Sequence, residues 1–73
     1  MRQPKGDGAV KTFSLIFQCD NDAFAGDNIG PETARILREV ADRVERELPI
    51  DGYPVRDING NTVGRCELRI TED

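Results

Sequence analysis

Histidine and tryptophan are both missing from this 73-residue chain. Without histidine there is no Ser-His or Cys-His relay, and the commonest general base and metal ligand are gone. Cysteine is scarce: Cys19 and Cys66 are too few for a disulfide scaffold and lack the C-x-x-C spacing of a zinc site, so they read as small core residues. The only lysines, Lys5 and Lys11, lie in or beside the N-terminal segment, which sets aside a buried Schiff-base lysine. No Gly-rich phosphate loop of standard spacing occurs, and nothing implies a cofactor. No run approaches the roughly 20 apolar residues that span a bilayer. The segment Met1–Gly8 also lacks the apolar stretch of a signal peptide, so the expectation is a cytoplasmic protein. A formal charge of −4, from 14 acidic and 10 basic side chains, argues against a general nucleic-acid coat, where a basic patch supplies most of the affinity.

What is present suffices for one small core. A chain this short hides only about 60% of its surface on folding, so a partner or a second copy would help it. Residues 1–10 carry no periodicity and read as a tail, which leaves residues 11–73 as a single α+β domain. Thr12 to Cys19 alternates, with Phe13, Leu15, Phe17 and Cys19 on one side and Thr12, Ser14, Ile16 and Gln18 on the other, the pattern of a half-buried strand. Asp20–Gly30 is a loop rich in Asp, Asn and Gly, interrupted by Phe24, which is expected to fold back onto the core edge.

Gly30-Pro31-Glu32 opens a helix, with proline at the first position and an acid in the first turn, and the helix is expected to run to about Leu48. Ala34, Leu37, Val40, Ala41, Val44 and Leu48 make its apolar stripe. On the other side Arg35/Glu39, Glu39/Arg43, Arg38/Asp42 and Asp42/Arg46 stand at i,i+4 with opposite signs, each pair worth about 0.2–0.5 kcal/mol. Pro49 and Gly52 then mark a stop and a turn.

Asn59-Gly60 between two β-prone runs is a strong hairpin signal. A two-residue loop there sets Val55 opposite Gly64, Arg56 opposite Val63 and Tyr53 opposite Cys66. Tyr53, Val55, Cys66, Leu68 and Ile70 then face the helix, while Pro54, Arg56, Ile58, Val63, Arg65, Glu67 and Arg69 line the open face. The fold expected is β-α-β-β, with a three-stranded antiparallel sheet of order 2-3-1 and one helix packed on one face. That layout puts Cys66 near Leu15 and Cys19 near Thr62, too far apart for a disulfide.

Asp57, Asn59 and Asn61 match the first oxygen ligands of a calcium loop, but Thr62 stands at the glycine position and Leu68 at the bidentate glutamate. A turn whose side chains bond nearby backbone accounts for the same residues. Asp20, Asp22, Asp27 and Glu32 read as turn and capping residues or as an acidic contact surface for a basic partner. Aromatics suited to stacking bases are wanted in the core, which leaves Arg56, Arg65 and Arg69 as a phosphate-contacting alternative. Mixed with Ile16, Ile58 and Val63, those arginines suit a protein interface better.

Asn21-Asp22-Ala23-Phe24 and Asp57-x-Asn59-Gly60-Asn61-x-x-Gly64 resemble elements of a family of very short bacterial and phage proteins that carry N-A-A-F and D-x-N-G-N-x-x-G. Asp22 stands where that family has a small residue. The resemblance covers residues 12 to about 70 and implies a compact accessory protein, encoded by a phage or mobile element, with no catalytic residue to carry over. The expectation is therefore a non-enzymatic protein-interaction module, with homodimerisation through the open face or the edge of the first strand. Its candidate contacts are Ile16, Arg56, Ile58, Val63, Arg65 and Arg69, and the acidic Asp20, Asp22 and Asp27. A nucleic-acid-contacting protein is the alternative class.

Overall fold

The computed structural model describes residues 9–72. Its elements are β1 (Ala9–Phe17), 3₁₀ turns at Asp22–Phe24 and Gly26–Asn28, α1 (Ile29–Arg46), β2 (Tyr53–Arg56) and β3 (Thr62–Glu72). The fold is α+β: one helix and a three-stranded antiparallel sheet in which β3 lies between β1 and β2. This is the expected strand order. The tail expected over residues 1–8 lies outside the described residues, whereas Ala9 and Val10, counted into that tail, are the first residues of β1.

Antiparallel pairing sets Leu15 opposite Cys66 and Phe17 opposite Gly64, and both cysteines are free. On the other side Tyr53 meets Cys66 and Val55 meets Gly64, as the turn arithmetic requires. Past Val55 the register slips by one, and Arg56 pairs with Thr62 rather than Val63. The turn itself causes the slip. Gly60 N–H donates to Asp57 O (3.0 Å), Asp57 N–H donates to Asn61 O (2.9 Å), and Gly60 sits at φ +87°. That is a three-residue loop closed by a left-handed glycine, not the two-residue loop expected from Asn59-Gly60. Val63 becomes the extra residue of a bulge, and it packs against the core instead of lining the open face.

The core consists of Ala23, Phe24, Ile36, Val40, Tyr53, Val55 and Cys66, with Leu15, Phe17, Cys19, Val44 and Val63 packed around it. Phe24 does fold back: it is 3% exposed and stacks on Phe17 with ring centroids 6.3 Å apart. The helix presents a different face from the one expected. Ile36 and Val40 are its buried apolar residues, while Leu37 and Leu48 are about half exposed. At 100° per residue the buried face is turned by roughly a quarter revolution from the Leu37–Ala41–Leu48 stripe. The polar residues Glu32 and Arg43 supply the rest of that face, which is why a count of apolar residues misplaces it. Of the i,i+4 pairs expected only Arg35–Glu39 forms (3.5 Å); Arg43 instead lies over the Tyr53 ring (3.6 Å) and reaches Glu47 (3.7 Å).

The helical layer covers only part of the sheet. An 11-residue β3 is about 36 Å long at 3.3 Å per residue, whereas every core residue of β3 lies at or before Cys66. Beyond it the β1–β3 ribbon projects, leaving Phe13 (46%) and Ile70 (45%) exposed although both lie on the core-facing side. The radius of gyration, 14.9 Å, accordingly exceeds the roughly 11 Å of a globular chain this long.

Candidate functional site

Three places on this frame gather polar or exposed apolar side chains. The first is a polar latch under the hairpin. Asp57 is 4% exposed, and its carboxylate accepts from Asn59 N–H (2.9 Å), Asn61 N–H (2.9 Å), Asn61 Nδ2 (3.3 Å) and Asn21 Nδ2 (2.7 Å). Asn21 Oδ1 meanwhile accepts Ala23 N–H and caps the first 3₁₀ turn. The two sequence elements that begin at Asn21 and Asp57 therefore meet 36 residues apart, across a single hydrogen bond. Burial pushes the Asp57 carboxyl up, but the donors from Asn61, Asn21 and Asn59 together outweigh it and hold the group below its ordinary value.

Beside it Glu32, also 4% exposed, accepts Arg35 Nε (2.9 Å) and Nη2 (3.0 Å) and the Ile58 N–H (2.8 Å). The Arg35 guanidinium lowers the Glu32 carboxyl against the opposing effect of burial, with the Ile58 amide adding to it, and Arg35 is raised in return. Glu32 thus leaves the acidic surface that the sequence suggested and fastens the hairpin to the start of α1. Every oxygen of this latch is occupied by a donor inside the fold, so its chemistry is structural. Gly64, the last residue of the hairpin element, fits the same account: a Cβ there would stand 2.0 Å from Ile16 O and 2.4 Å from Phe17 Cα, so only glycine lets β1 and β3 approach.

The second place is a groove of about 600 Å³ between α1 and β2, lined by Arg35, Arg43, Arg46, Arg56, Tyr53 and Ile58 among others. Glu39 and Asp42 share its rim, so its charge is mixed. Arg56 and Ile58, expected on the open face, belong here: the bulge bends the hairpin tip toward α1, where Arg35 Nη2 donates to Arg56 O (3.3 Å). Tyr53, under Arg43, donates to Glu47 O (3.4 Å), and burial first and the neighbouring Cys66 thiol second push its hydroxyl up.

The third is the sheet face that carries no helix. Ile16, 74% exposed on the edge strand β1, stands opposite Arg65 of the central strand, which in turn is opposite Pro54. Arg65 Nη2 donates to Asp51 O (3.0 Å), and Arg69 pairs with Glu67 two residues away (3.3 Å). The six expected contact residues of the sheet thus divide, with Ile16, Arg65 and Arg69 on this face, Arg56 and Ile58 at the groove, and Val63 in the core edge. Asp20, Asp22 and Asp27 are exposed along the loop between β1 and α1. Among the described residues no three carboxylate or thiol side chains gather as a metal site would require. Cys19 Sγ lies 3.8 Å from Thr33 Oγ1, half-buried beside the core.

Sequence reasoning missed the latch. Its one available signal was that Asn21 and Asp57 each head a motif and each can bond beyond its own turn. Among the described residues no helix is long and apolar enough to cross a membrane. Compared with family models, curated proteins and solved structures, the chain matches none.

Proposed function

We propose that this chain is a small non-enzymatic interaction module that works by laying the helix-free face of its sheet against a partner protein. The observation that carries the reading is Ile16, a large aliphatic side chain 74% exposed near the C-terminal end of β1 and set opposite Arg65. Exposed apolar groups beside arginine are the composition of interface centres. The titratable groups held most firmly, Asp57 and Glu32, are occupied by donors within the fold, which supports a binding role over catalysis. The cytoplasm suits a chain with free cysteines, and the resemblance to short bacterial and phage proteins favours an accessory role in a phage or mobile element.

The phosphate-contacting alternative has less support. Arg56 lines the groove, Arg69 is paired with Glu67, and Arg65 is held on a backbone carbonyl, so the three form no continuous basic track. The test is affinity capture from host lysate with wild-type protein and with Ile16→Asp, each with and without nuclease. A protein that survives nuclease and is lost with Ile16→Asp supports the reading. Recovery that collapses with nuclease or with modest salt overturns it in favour of nucleic acid.

A further inference from the structure

The two edges of the sheet are built differently. β2 is only four residues long, contains Pro54 and is flanked by α1, so it offers little for another strand to join. β1 offers the opposite. It is nine residues long, has no proline, pairs with β3 without a bulge, and carries Lys11 as its one charged side chain.

The phase of its backbone follows from one bond. Gln18 N–H donates to Val63 O (2.9 Å), so the even residues of β1 bond β3 while Lys11, Phe13 and Leu15 direct their N–H and C=O groups to the outer edge. Among the described residues no strand lies beyond them.

Val10-Lys11-Thr12-Phe13-Ser14-Leu15-Ile16 is mirrored about Phe13 on its helix-free face, Val with Ile and Thr with Ser, while on the other face Lys11 stands against Leu15. We infer that the occupant of this edge is a second copy of the chain, its β1 paired antiparallel with the first about a two-fold axis through Phe13. In that register the outward residues Lys11, Phe13 and Leu15 meet Leu15, Phe13 and Lys11 of the second copy as hydrogen-bonded pairs. On the helix-free face, Val10 meets Ile16 and Thr12 meets Ser14. Shifting the axis to residue 12 or 14 sets Val10 against Ser14 or Thr12 against Ile16, and shortens the ladder.

The axis also answers the exposure of the projecting ribbon. Because it stands normal to the sheet, both helices fall on one side, at opposite ends. The exposed Phe13 and Ile70 of one copy then flank the helical layer of the other. The product is a six-stranded sheet of order β2-β3-β1-β1-β3-β2, with an isologous contact that cannot propagate into a fibre. The inference goes beyond the proposed partner-binding role and holds or fails without it, because the readout is self-association.

The test is the mass of the full chain in solution by sedimentation equilibrium, for wild type and for variants matched by circular dichroism. Wild type is expected at twice the 8.1 kDa chain mass. Thr12→Glu with Ser14→Glu sets acid against acid across the axis and drops the mass to one chain, whereas Thr12→Glu with Ser14→Lys sets acid against base and keeps the dimer. Lys11→Pro removes an outward donor without touching the β1–β3 ladder and also gives one chain. A wild type that stays at one chain mass at every concentration overturns the inference. So does a dimer indifferent to the acid pair, which would place the contact elsewhere.

Discussion

The two halves of the β1–β3 ribbon use the same alternation to opposite ends. From Leu15 to Phe17 and back through Val63 to Cys66, the inward side chains pack into or against the core cluster that holds Ile36, Val40 and Phe24, Cys66 fully buried and Leu15, Phe17 and Val63 partly so. From Val10 to Phe13 and through Leu68 to Ile70 the pairing continues unbroken, yet Phe13 and Ile70 stay about half exposed. Strand pairing is therefore independent of burial here. The covered half holds the fold, and the projecting half is held by hydrogen bonds to it.

Substitutions in the covered half are expected to cost the most. Ile36→Ala leaves a cavity at a site with no exposure and is expected to cost about 2–5 kcal/mol by urea denaturation. Ile70→Thr, on the same sheet face but past the helix, should stay within about 1 kcal/mol; equal losses would show that the two halves share one core. Gly64→Ala drives a methyl into Ile16 O and Phe17 and should lose about 1–3 kcal/mol. Gly60→Ala, at φ +87°, should lose about 1–2 kcal/mol and loosen the hairpin tip rather than the core.

Acid sharpens the contrast. Asp57 and Glu32 both titrate lower in the folded chain, so on acidification the unfolded chain takes up protons first. Their stabilisation is complete above ordinary carboxylate values of about 4 and is lost as pH falls below them. The midpoint of denaturation measured against pH should fall there, and Asp57→Asn should flatten the fall; an unchanged slope would remove the latch from the account. The smallest effect is in amide exchange. Thr12 and Ser14 should be protected and Lys11 and Phe13 fast in dilute solution, the latter pair slowing as concentration rises if β1 pairs with itself.

Much of this was legible in advance. The alternation of β1, the hairpin at Asn59-Gly60 and the Tyr53–Cys66 pair follow from periodicity and turn chemistry, and the length of the last strand places β3 in the centre with Leu15 near Cys66. The helix face was not legible, because Glu32 takes a buried position that Arg35 and the Ile58 amide stabilise, and Arg43 a half-buried one over the Tyr53 ring. The three-residue turn was hidden because Asn59-Gly60 suits either loop length, and Asp57 decides between them by accepting Asn59 and Asn61 at once.

Sequence alone set the elements and the β2–β3 hairpin, which depend on residues near one another along the chain or on a tight turn, and the length of the last strand put β3 in the centre beside the distant β1. The tertiary structure alone decided which side of α1 is buried, that Asn21 reaches Asp57, that Val63 turns inward, and that the helix stops covering the sheet at Cys66. Those outcomes depend on lengths and crossing points in space, where a four-residue β2 and an 18-residue α1 cannot cover an 11-residue β3.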